Sequence, residues 1–208
     1  MLTTHALTFA YGSNRQFTFP DLQCGDKQSL LILGKSGTGK TTLLHLLAAL
    51  LKPVSGSIRI DKTELTELSP AQTASFRAAH LGIVYQKPHF VSALTVEDNL
   101  LLANYFADRA PKPARAHRLA GQLGLQEHLT KKTSQLSQGE QQRLSLARAL
   151  MNEPSIILAD EPTSSLDDEN CNRVIGLLRE QSEQAGSSLI VVTHDARLKT
   201  QFMNQVLL

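Results

Sequence analysis

The sequence lacks the features that would place it among secreted or metal-stapled proteins. Its 208 residues include no tryptophan and only two cysteines, Cys24 and Cys171, which show neither a pairing pattern nor a metal-ligand spacing. We therefore expect two buried thiols in a reducing compartment rather than a disulfide framework. The first ten residues have no basic flank leading into an apolar core, so no signal peptide is predicted.

Excess charge of one sign and long hydrophobic runs are also missing. The 21 Lys and Arg residues against 19 Asp and Glu give a formal charge of +2, which does not favour nucleic-acid binding. The longest apolar stretch, residues 43–51, is interrupted by His45 and falls far short of the roughly 20 residues that span a bilayer. Hydrophobic residues still make up 41% of the chain, enough for one sizeable core. The sequence thus indicates a single domain over residues 1–208. It does not exclude a partner protein in the membrane.

What the sequence does contain is an alternation of strands and helices. Residues 30–33, 156–159 and 189–192 are short apolar runs that predict buried strands. A helix is predicted after the first run, ending before Pro53, and another between the last two, ending at Gly186 as its C-cap. This order predicts a parallel sheet with helices on both faces, an α/β fold.

Two further regions flank this core. Residues 7–19 and 58–60 alternate without helices and predict an antiparallel β layer. Ser69 and Pro70 predict a helix start, and residues 81–85 predict another strand. The segment over about 87–152 is mostly helical, so we expect a helical subdomain inserted into the α/β core.

Residues 34–41 (the phosphate loop) fit the pattern G-x-x-x-x-G-K-[ST] between a predicted strand and a predicted helix. A chance glycine-rich turn is the alternative, but this context is the one that phosphate binding requires. Glycines let successive N–H groups face an anion, and the helix N-terminus adds a positive dipole end. Lys40 is expected to contact the β- and γ-phosphates, and the Thr41 hydroxyl to bind Mg²⁺. The predicted phosphate-binding residues are Gly34, Lys35, Ser36, Gly37, Thr38, Gly39, Lys40, Thr41 and Thr42.

Asp160 and Glu161 follow the strand at residues 156–159, at the edge where parallel sheets bind ligands. Asp160 has the hard oxygen donors that suit Mg²⁺. Glu161 suits the base that polarises or orients an attacking water. Alone, the pair could simply cap the next element; with the phosphate loop it predicts the second half of a nucleotide-hydrolysing site.

Residues 136–143 (the signature segment) carry the most information. Ser137 and Glu140 form the pattern of a helix capping box, which by itself needs neither Gly139 nor the run that follows it. The segment resembles the signature of ATP-binding cassettes, Leu-Ser-Gly-Gly-Gln followed by Gln-Arg. Gln138 replaces a glycine and Glu140 replaces the usual glutamine, while Ser137 and Gly139 are retained.

The resemblance extends over nearly the whole chain and implies roles for four more positions. Tyr11 would stack on adenine, and Gln86 would contact Mg²⁺ or the attacking water. Asp167, in the segment 165–167 that includes Ser165, would face a second subunit. His194 would lie near the γ-phosphate. The implied catalytic residues are Glu161, His194 and Gln86. The implied metal ligands are Thr41, Gln86 and Asp160. The implied nucleotide contacts are Tyr11, the phosphate-loop residues, Ser137, Gly139, Glu140 and Asp167.

In this family, as the resemblance implies, two nucleotide-binding subunits with a RecA-like P-loop NTPase fold meet head to tail around ATP and Mg²⁺. The leading interpretation is an ATP-hydrolysing subunit, most simply a homodimer, that energises a separate transmembrane permease. The subunit is expected at the cytoplasmic face of the cell membrane, bound through the permease, and is not expected to bind nucleic acid. The alternative is a soluble cassette ATPase that acts on nucleic acid or ribosomes. A single set of motifs and the lack of room for a long coiled coil disfavour it. A small-molecule kinase would not need the signature segment.

The subfamily is indicated by residues 75–77, 81–86 and 94–99, which resemble the lipoprotein-release and macrolide-export ATPases. An export-type system is therefore predicted. Residues 87–91 resemble the family's groove for a short cytoplasmic helix of the permease. Alternatively, Phe90 and Val91 simply pack into the helical subdomain.

Overall fold

The computed structural model describes residues 1–12, 15–164 and 166–208, with the backbone alone for Arg15. Ser165, part of the predicted segment 165–167, lies outside the described residues. The described strands are β1 (Leu2–Tyr11), β2 (Arg15–Thr18), β3 (Gln23–Cys24), β4 (Ser29–Leu33), β5 (Ser55–Ile60), β6 (Thr63–Glu64), β7 (Leu81–Val84), β8 (Ile156–Asp160), β9 (Ser188–Thr193) and β10 (Asn204–Leu207). The described α-helices are α1 (Lys40–Leu47), α2 (Pro70–His80), α3 (Val96–Phe106), α4 (Pro113–Gln122), α5 (Gln138–Leu150) and α6 (Asp168–Ala185).

A parallel sheet in the order β10-β4-β9-β8-β7 forms the centre of the fold. Every residue of β8 and β9 is buried, as expected for strands that are covered on both faces. The register pairs Leu33 with Thr193 and Asp160 with Val192. The predicted parallel sheet is therefore confirmed, and its carboxyl edge brings together the ends of β4, β8 and β9.

Alternate residues of β4 divide the core into two parts because successive side chains of a strand point to opposite faces. Leu31 and Leu33 pack with buried residues of α3, α4, α5 and α6. Leu30 and Ile32 pack on the other face with α1 and the antiparallel strands. The layers are therefore an antiparallel sheet, α1, the parallel sheet and a group of helices.

The antiparallel layer is built around β1, which pairs with β2, β3 and β5, while β5 also pairs with β6. It confirms the layer predicted from residues 7–19 and 58–60. The β1–β2 register places Phe9 opposite Phe17. This layer therefore carries Tyr11 and Phe17 to the start of α1.

Of the helices between β7 and β8, α3 and α5 begin at side-chain caps, whereas α4 has no side-chain cap at Lys112. Thr95 and Asp98 form a capping box at α3, and Ser137 and Glu140 form one at α5. Ser69 caps α2, whose first residue is Pro70, as predicted. That the segment over about 87–152 constitutes a subdomain of its own stays a prediction.

Both cysteines are buried free thiols, as predicted. Burial raises the pKa of the Cys24 thiol to about 11. Throughout residues 1–12, 15–164 and 166–208, every helix falls short of the combined length and apolar character that crossing a bilayer demands.

Candidate nucleotide-binding site

The phosphate loop opens onto a cavity of about 490 Å³ at the carboxyl edge of the parallel sheet. Its walls come from parts of the chain that are far apart in sequence: β1, β2, the phosphate loop, the end of β7, the turn after β8 and the end of β9. It is lined by Tyr11, Phe17, Ser36, Gly37, Gly39, Lys40, Thr41, Thr42, Gln86, Glu161 and His194. The fold thus assembles most of the predicted site residues around one cavity.

The conformation of the phosphate loop depends on its glycines. Gly37 and Gly39 have φ values of 84° and 96°, in the left-handed region that favours glycine. A Cβ on Gly39 would lie 2.6 Å from Cδ1 of Phe17, so this glycine is also needed for close packing. Within the loop, the Thr38 hydroxyl donates to the Lys35 carbonyl at 3.0 Å. Gly39 is the N-cap of α1 and provides no side-chain cap, which leaves the first turn of the helix open to an anion.

Lys40 sits at the base of the cavity with only 7% of its surface exposed. Its ammonium donates to the Lys35 carbonyl at 3.0 Å and lies 3.3 Å from Oε1 of Glu161. The two predicted residues of opposite charge are therefore in direct contact. A phosphate bound in the loop would meet a cation that is already oriented.

Glu161 is held by several donors in a strained turn. Its φ is 47°, which is uncommon for a residue with a side chain, and its N–H donates to the Val192 carbonyl at 2.8 Å. The carboxylate accepts from the Thr193 hydroxyl at 2.8 Å and from the His194 backbone N–H at 3.2 Å, and His194 Nδ1 lies 2.9 Å from it. Burial raises the pKa of Glu161, but the hydrogen bonds from His194 and Thr193 outweigh it, so the net pKa is lowered. An ionised, immobilised carboxylate is suited to orienting a water molecule rather than to storing a proton.

The three predicted magnesium ligands all provide oxygen donors at this edge. The Thr41 hydroxyl lies 3.5 Å from Oδ1 of Asp160, and Asp160 is 6% exposed. Burial raises the pKa of Asp160, and the nearby Glu161 carboxylate raises it further. Gln86 donates through Nε2 to the Ser164 hydroxyl at 2.9 Å, which leaves its amide oxygen as a potential ligand. A hydroxyl, a carboxylate and an amide oxygen fit the preference of Mg²⁺ for hard ligands.

Tyr11 forms the outer wall of the cavity and is 50% exposed. Its ring meets Phe9 edge-on at a centroid distance of 4.8 Å and Phe17 at 6.2 Å. Its hydroxyl lies 3.3 Å from the Thr42 hydroxyl. The ring is thus held in place while remaining accessible, as stacking on a base requires.

The signature segment and Asp167 do not line this cavity. Ser137 and Gly139 are exposed at the N-terminus of α5. The Glu140 carboxylate accepts from the Ser137 N–H at 2.7 Å, so it is used within its own cap. Asp167 caps α6 by accepting from the Asn170 N–H at 2.8 Å. One copy of the chain therefore presents the two groups of predicted nucleotide contacts on separate surfaces.

A family model described as ABC transporter matches residues 19–164 of the chain. The chain belongs to the ABC transporter family. It is 40% identical to the lipoprotein-releasing system ATP-binding protein LolD of Shewanella denitrificans over 86% of this chain and 78% of that protein. It is 44% identical to the macrolide export ATP-binding/permease protein MacB of Hahella chejuensis over 84% of this chain, but that match spans only 27% of MacB.

Solved structures give the same result for the fold. The dimeric ATP-binding cassette MJ0796, in a post-hydrolysis state bound to ADP and Pi, superposes with a TM-score of 0.88 at 30% identity. The superposition covers 100% of this chain and 94% of that chain. The predicted fold class is confirmed, and so is the prediction of an ATP-binding and ATP-hydrolysing subunit. The roles of individual residues stay predictions.

Four contacts of this ABC ATPase were not predicted from sequence. Phe17 packs against Gly39, Thr193 donates to Glu161, Ser164 accepts from Gln86, and His128 binds Glu140. Thr193 had a usable signal, since it is a hydroxyl residue at the end of a buried strand next to His194. For the other three, the partners are distant in sequence and no local pattern indicates the pairing.

Proposed function

We propose that this ABC ATPase energises export through a separate transmembrane permease, as a pair of copies that close head to tail around ATP and Mg²⁺. The observation that carries the proposal is the separation of the signature segment from the nucleotide cavity within one chain. A two-fold axis places the same two surfaces of each copy opposite those of its partner, so each signature segment can complete the other copy's cavity. The dimeric state of the MJ0796 cassette supports this arrangement. The test is whether ATP and Mg²⁺ drive the chain into a pair that depends on Ser137.

Binding of ATP rests on groups of one copy. The N–H groups of the phosphate loop and the first turn of α1 would surround the β- and γ-phosphates, and Lys40 would neutralise them. The half-exposed ring of Tyr11 would stack on the adenine. Because Lys40 is already bonded to the Lys35 carbonyl, little side-chain ordering is needed when the nucleotide arrives.

Thr41, Asp160 and Gln86 would hold the magnesium ion. When bound, Mg²⁺ would offset the charge of the phosphate oxygens. Thr41 and Asp160 already lie within 3.5 Å of each other, so two of the three proposed ligands are adjacent.

Hydrolysis would depend on Glu161 and His194. Glu161 would orient the attacking water, because its carboxylate is ionised and fixed by the Thr193 hydroxyl and the His194 N–H. The side chain of His194 is 58% exposed and borders the cavity, where it would contact the γ-phosphate.

Closure and opening of the pair would follow from the γ-phosphate. Ser137 and the N-terminus of α5 would contact the γ-phosphate held by the other copy, and Asp167 would face that copy across the interface. Loss of the γ-phosphate on hydrolysis removes this bridge and lets the copies separate. The cycle would move the permease between two states.

An export role is supported by the likeness to LolD and MacB, whose names describe lipoprotein release and macrolide export. LolD is named as an ATP-binding protein, and the match spans 78% of it, whereas MacB is named as an ATP-binding/permease protein, and the match spans 27% of it. We therefore propose that this chain lies at the cytoplasmic face of the membrane, bound to a separate transmembrane permease.

The permease would dock in a groove of about 440 Å³ between α2, β7, α3 and α5 (the docking groove). Val91 and Phe106 line it and are 46% and 69% exposed. Phe90 does not line it: the ring packs against the core, with the Arg148 guanidinium 5.0 Å from its centroid. Of the two residues, Val91 therefore lines the groove, whereas Phe90 packs against the core.

Phe106→Asp should reduce co-purification of the permease about tenfold or more, because a charge replaces an exposed aromatic anchor. ATP binding should not change, since Phe106 lies away from the nucleotide cavity. The measurement is recovery of the permease on the tagged ATPase from detergent extracts. Met203→Asp is the matched control, since Met203 is fully exposed outside the groove. Equal recovery with both variants would refute docking at this groove.

A further inference from the structure

The carboxylate of Glu140 lies beside Ser137 in the signature segment. This inference rests on the proposed function, in which Ser137 contacts a phosphate held by the other copy. Oε2 of Glu140 accepts from the Ser137 N–H at 2.7 Å and from the Ser137 hydroxyl at 2.8 Å. A serine hydroxyl has one proton to donate, so here that proton is directed at Glu140. A phosphate oxygen that approached Ser137 would have to compete for the proton.

The charge of Glu140 adds to this conflict. Hydrogen bonds from Ser137 lower the pKa of Glu140, and the nearby side chains of His128 and Arg143 lower it further. The side chain is therefore ionised in the range in which ATP is hydrolysed. A carboxylate next to the N-terminus of α5 offsets the positive end of the helix that would attract a phosphate.

His128 provides the opposing contact. Its Nε2 lies 2.9 Å from Oε1 of Glu140, and the two side chains are only 20% and 21% exposed. The residue ends the short 3-10 turn Gln126–His128, which follows α4 and precedes the signature segment in the chain. The other ring nitrogen, Nδ1, is buried without a hydrogen-bond partner among the described residues. The contact with Glu140 is therefore the one polar use of this ring that the described residues reveal.

We propose that His128 is a positioning residue for the signature segment: it holds Oε1 of Glu140 away from Ser137, so that a γ-phosphate held by a second copy competes with one carboxylate oxygen, Oε2, for the Ser137 proton and not with both. The two oxygens of Glu140 then have separate duties, Oε2 toward the cap and Oε1 toward His128. Without a hydrogen-bond donor at residue 128, the carboxylate is free to turn both oxygens toward Ser137 and to repel the incoming phosphate.

The test uses ATP-driven pairing of the Glu161→Gln protein, in which the γ-phosphate is retained. In that background His128→Leu should weaken the pair roughly tenfold, the scale of one hydrogen bond to a charged group. His128→Arg, which keeps a hydrogen-bond donor at this position, should restore pairing. The measurement is the concentration dependence of pairing with saturating ATP and Mg²⁺ in sedimentation, together with ATP affinity of the separate copies, which should not change.

His117→Leu is the matched control because His117 Nε2 also lies 2.9 Å from a glutamate oxygen, that of Glu97, away from the signature segment. It should leave pairing unchanged. If His128→Leu melts early, His128→Ala takes its place, since alanine also lacks the donor to Glu140.

A second background separates positioning from a general loss of structure. In Glu161→Gln, Glu140→Gln protein the carboxylate that His128 holds is gone, so His128→Leu should have no further effect on pairing. An equal loss in both backgrounds, or no loss in either, would overturn the inference. Failure of the Glu161→Gln protein itself to pair would instead overturn the proposed function.

Discussion

Glu161→Gln should reduce ATP turnover by about 10² to 10⁴-fold, the usual cost of losing a general base, while ATP still binds. Glutamine keeps the size and reach of the side chain but removes the charge that orients the water. The phosphate loop and the proposed magnesium ligands are untouched by the change. The measurement is the rate of phosphate release at saturating ATP, with bound nucleotide determined on the same protein.

The control for this substitution is Glu97→Gln. Glu97 also accepts from a histidine ring, His117 at 2.9 Å, but it lies on α3 outside the nucleotide cavity. Its turnover should match that of the unchanged protein. If Glu161→Gln retains turnover within a few-fold, the role assigned to Glu161 is wrong.

Lys40→Ala should reduce turnover by at least about 10²-fold, the cost of losing one donor to developing charge in a catalytic site. It should also weaken ATP binding, because the change removes the buried ammonium that lines the cavity beside the phosphate loop. The fold should persist: Glu161 loses the ammonium at 3.3 Å but keeps the hydrogen bonds from Thr193 and His194. Calorimetric titration with ATP and a turnover assay measure the two effects.

Lys62→Ala is the comparison for Lys40→Ala. Lys62 is exposed in the turn between β5 and β6, so its loss removes the same charge far from the cavity. The two variants should have similar melting temperatures and very different turnover. Normal turnover in Lys40→Ala would remove the basis for the phosphate site.

Features set by neighbouring residues were predictable. The phosphate loop needs only a strand before it, a helix after it and glycines at the turns, and all three can be read locally. The caps of α2 and α5 were likewise evident from Ser69 and Ser137, because each accepts from a residue three positions on. Gly186 ends α6 in the left-handed conformation, with φ 66°, as its position predicted.

The end of α1 shows what an apolar pattern leaves open. The sequence predicts a helix that ends before Pro53, without a last residue; α1 ends at Leu47, and Ala49 has a φ of 52°. The His45 carbonyl accepts from Leu50 and Leu51 instead of continuing a regular ladder. Ala49 and Leu51 still pack against the core, so the apolar run has its burial without the helix.

Contacts between distant segments could not be predicted. Nothing near Phe90 indicates that Arg148 covers its ring, and nothing near Glu140 indicates that His128 reaches it. The cavity itself depends on the strand order, which places the ends of β4, β8 and β9 at one edge. Most of the residues at that edge were predicted from the sequence, and the structure shows the hydrogen bonds and ion pairs among them.

The most direct test of the head-to-tail account is the molar mass of the Glu161→Gln protein with ATP and Mg²⁺, determined by size-exclusion chromatography with light scattering. The account predicts a dimer that contains ATP. It also predicts that adding Ser137→Arg returns the protein to a monomer with ATP still bound, because a bulky cation at the N-terminus of α5 blocks the γ-phosphate of the other copy. A Glu161→Gln protein that binds ATP but remains monomeric, or a dimer that Ser137→Arg leaves intact, would contradict the account.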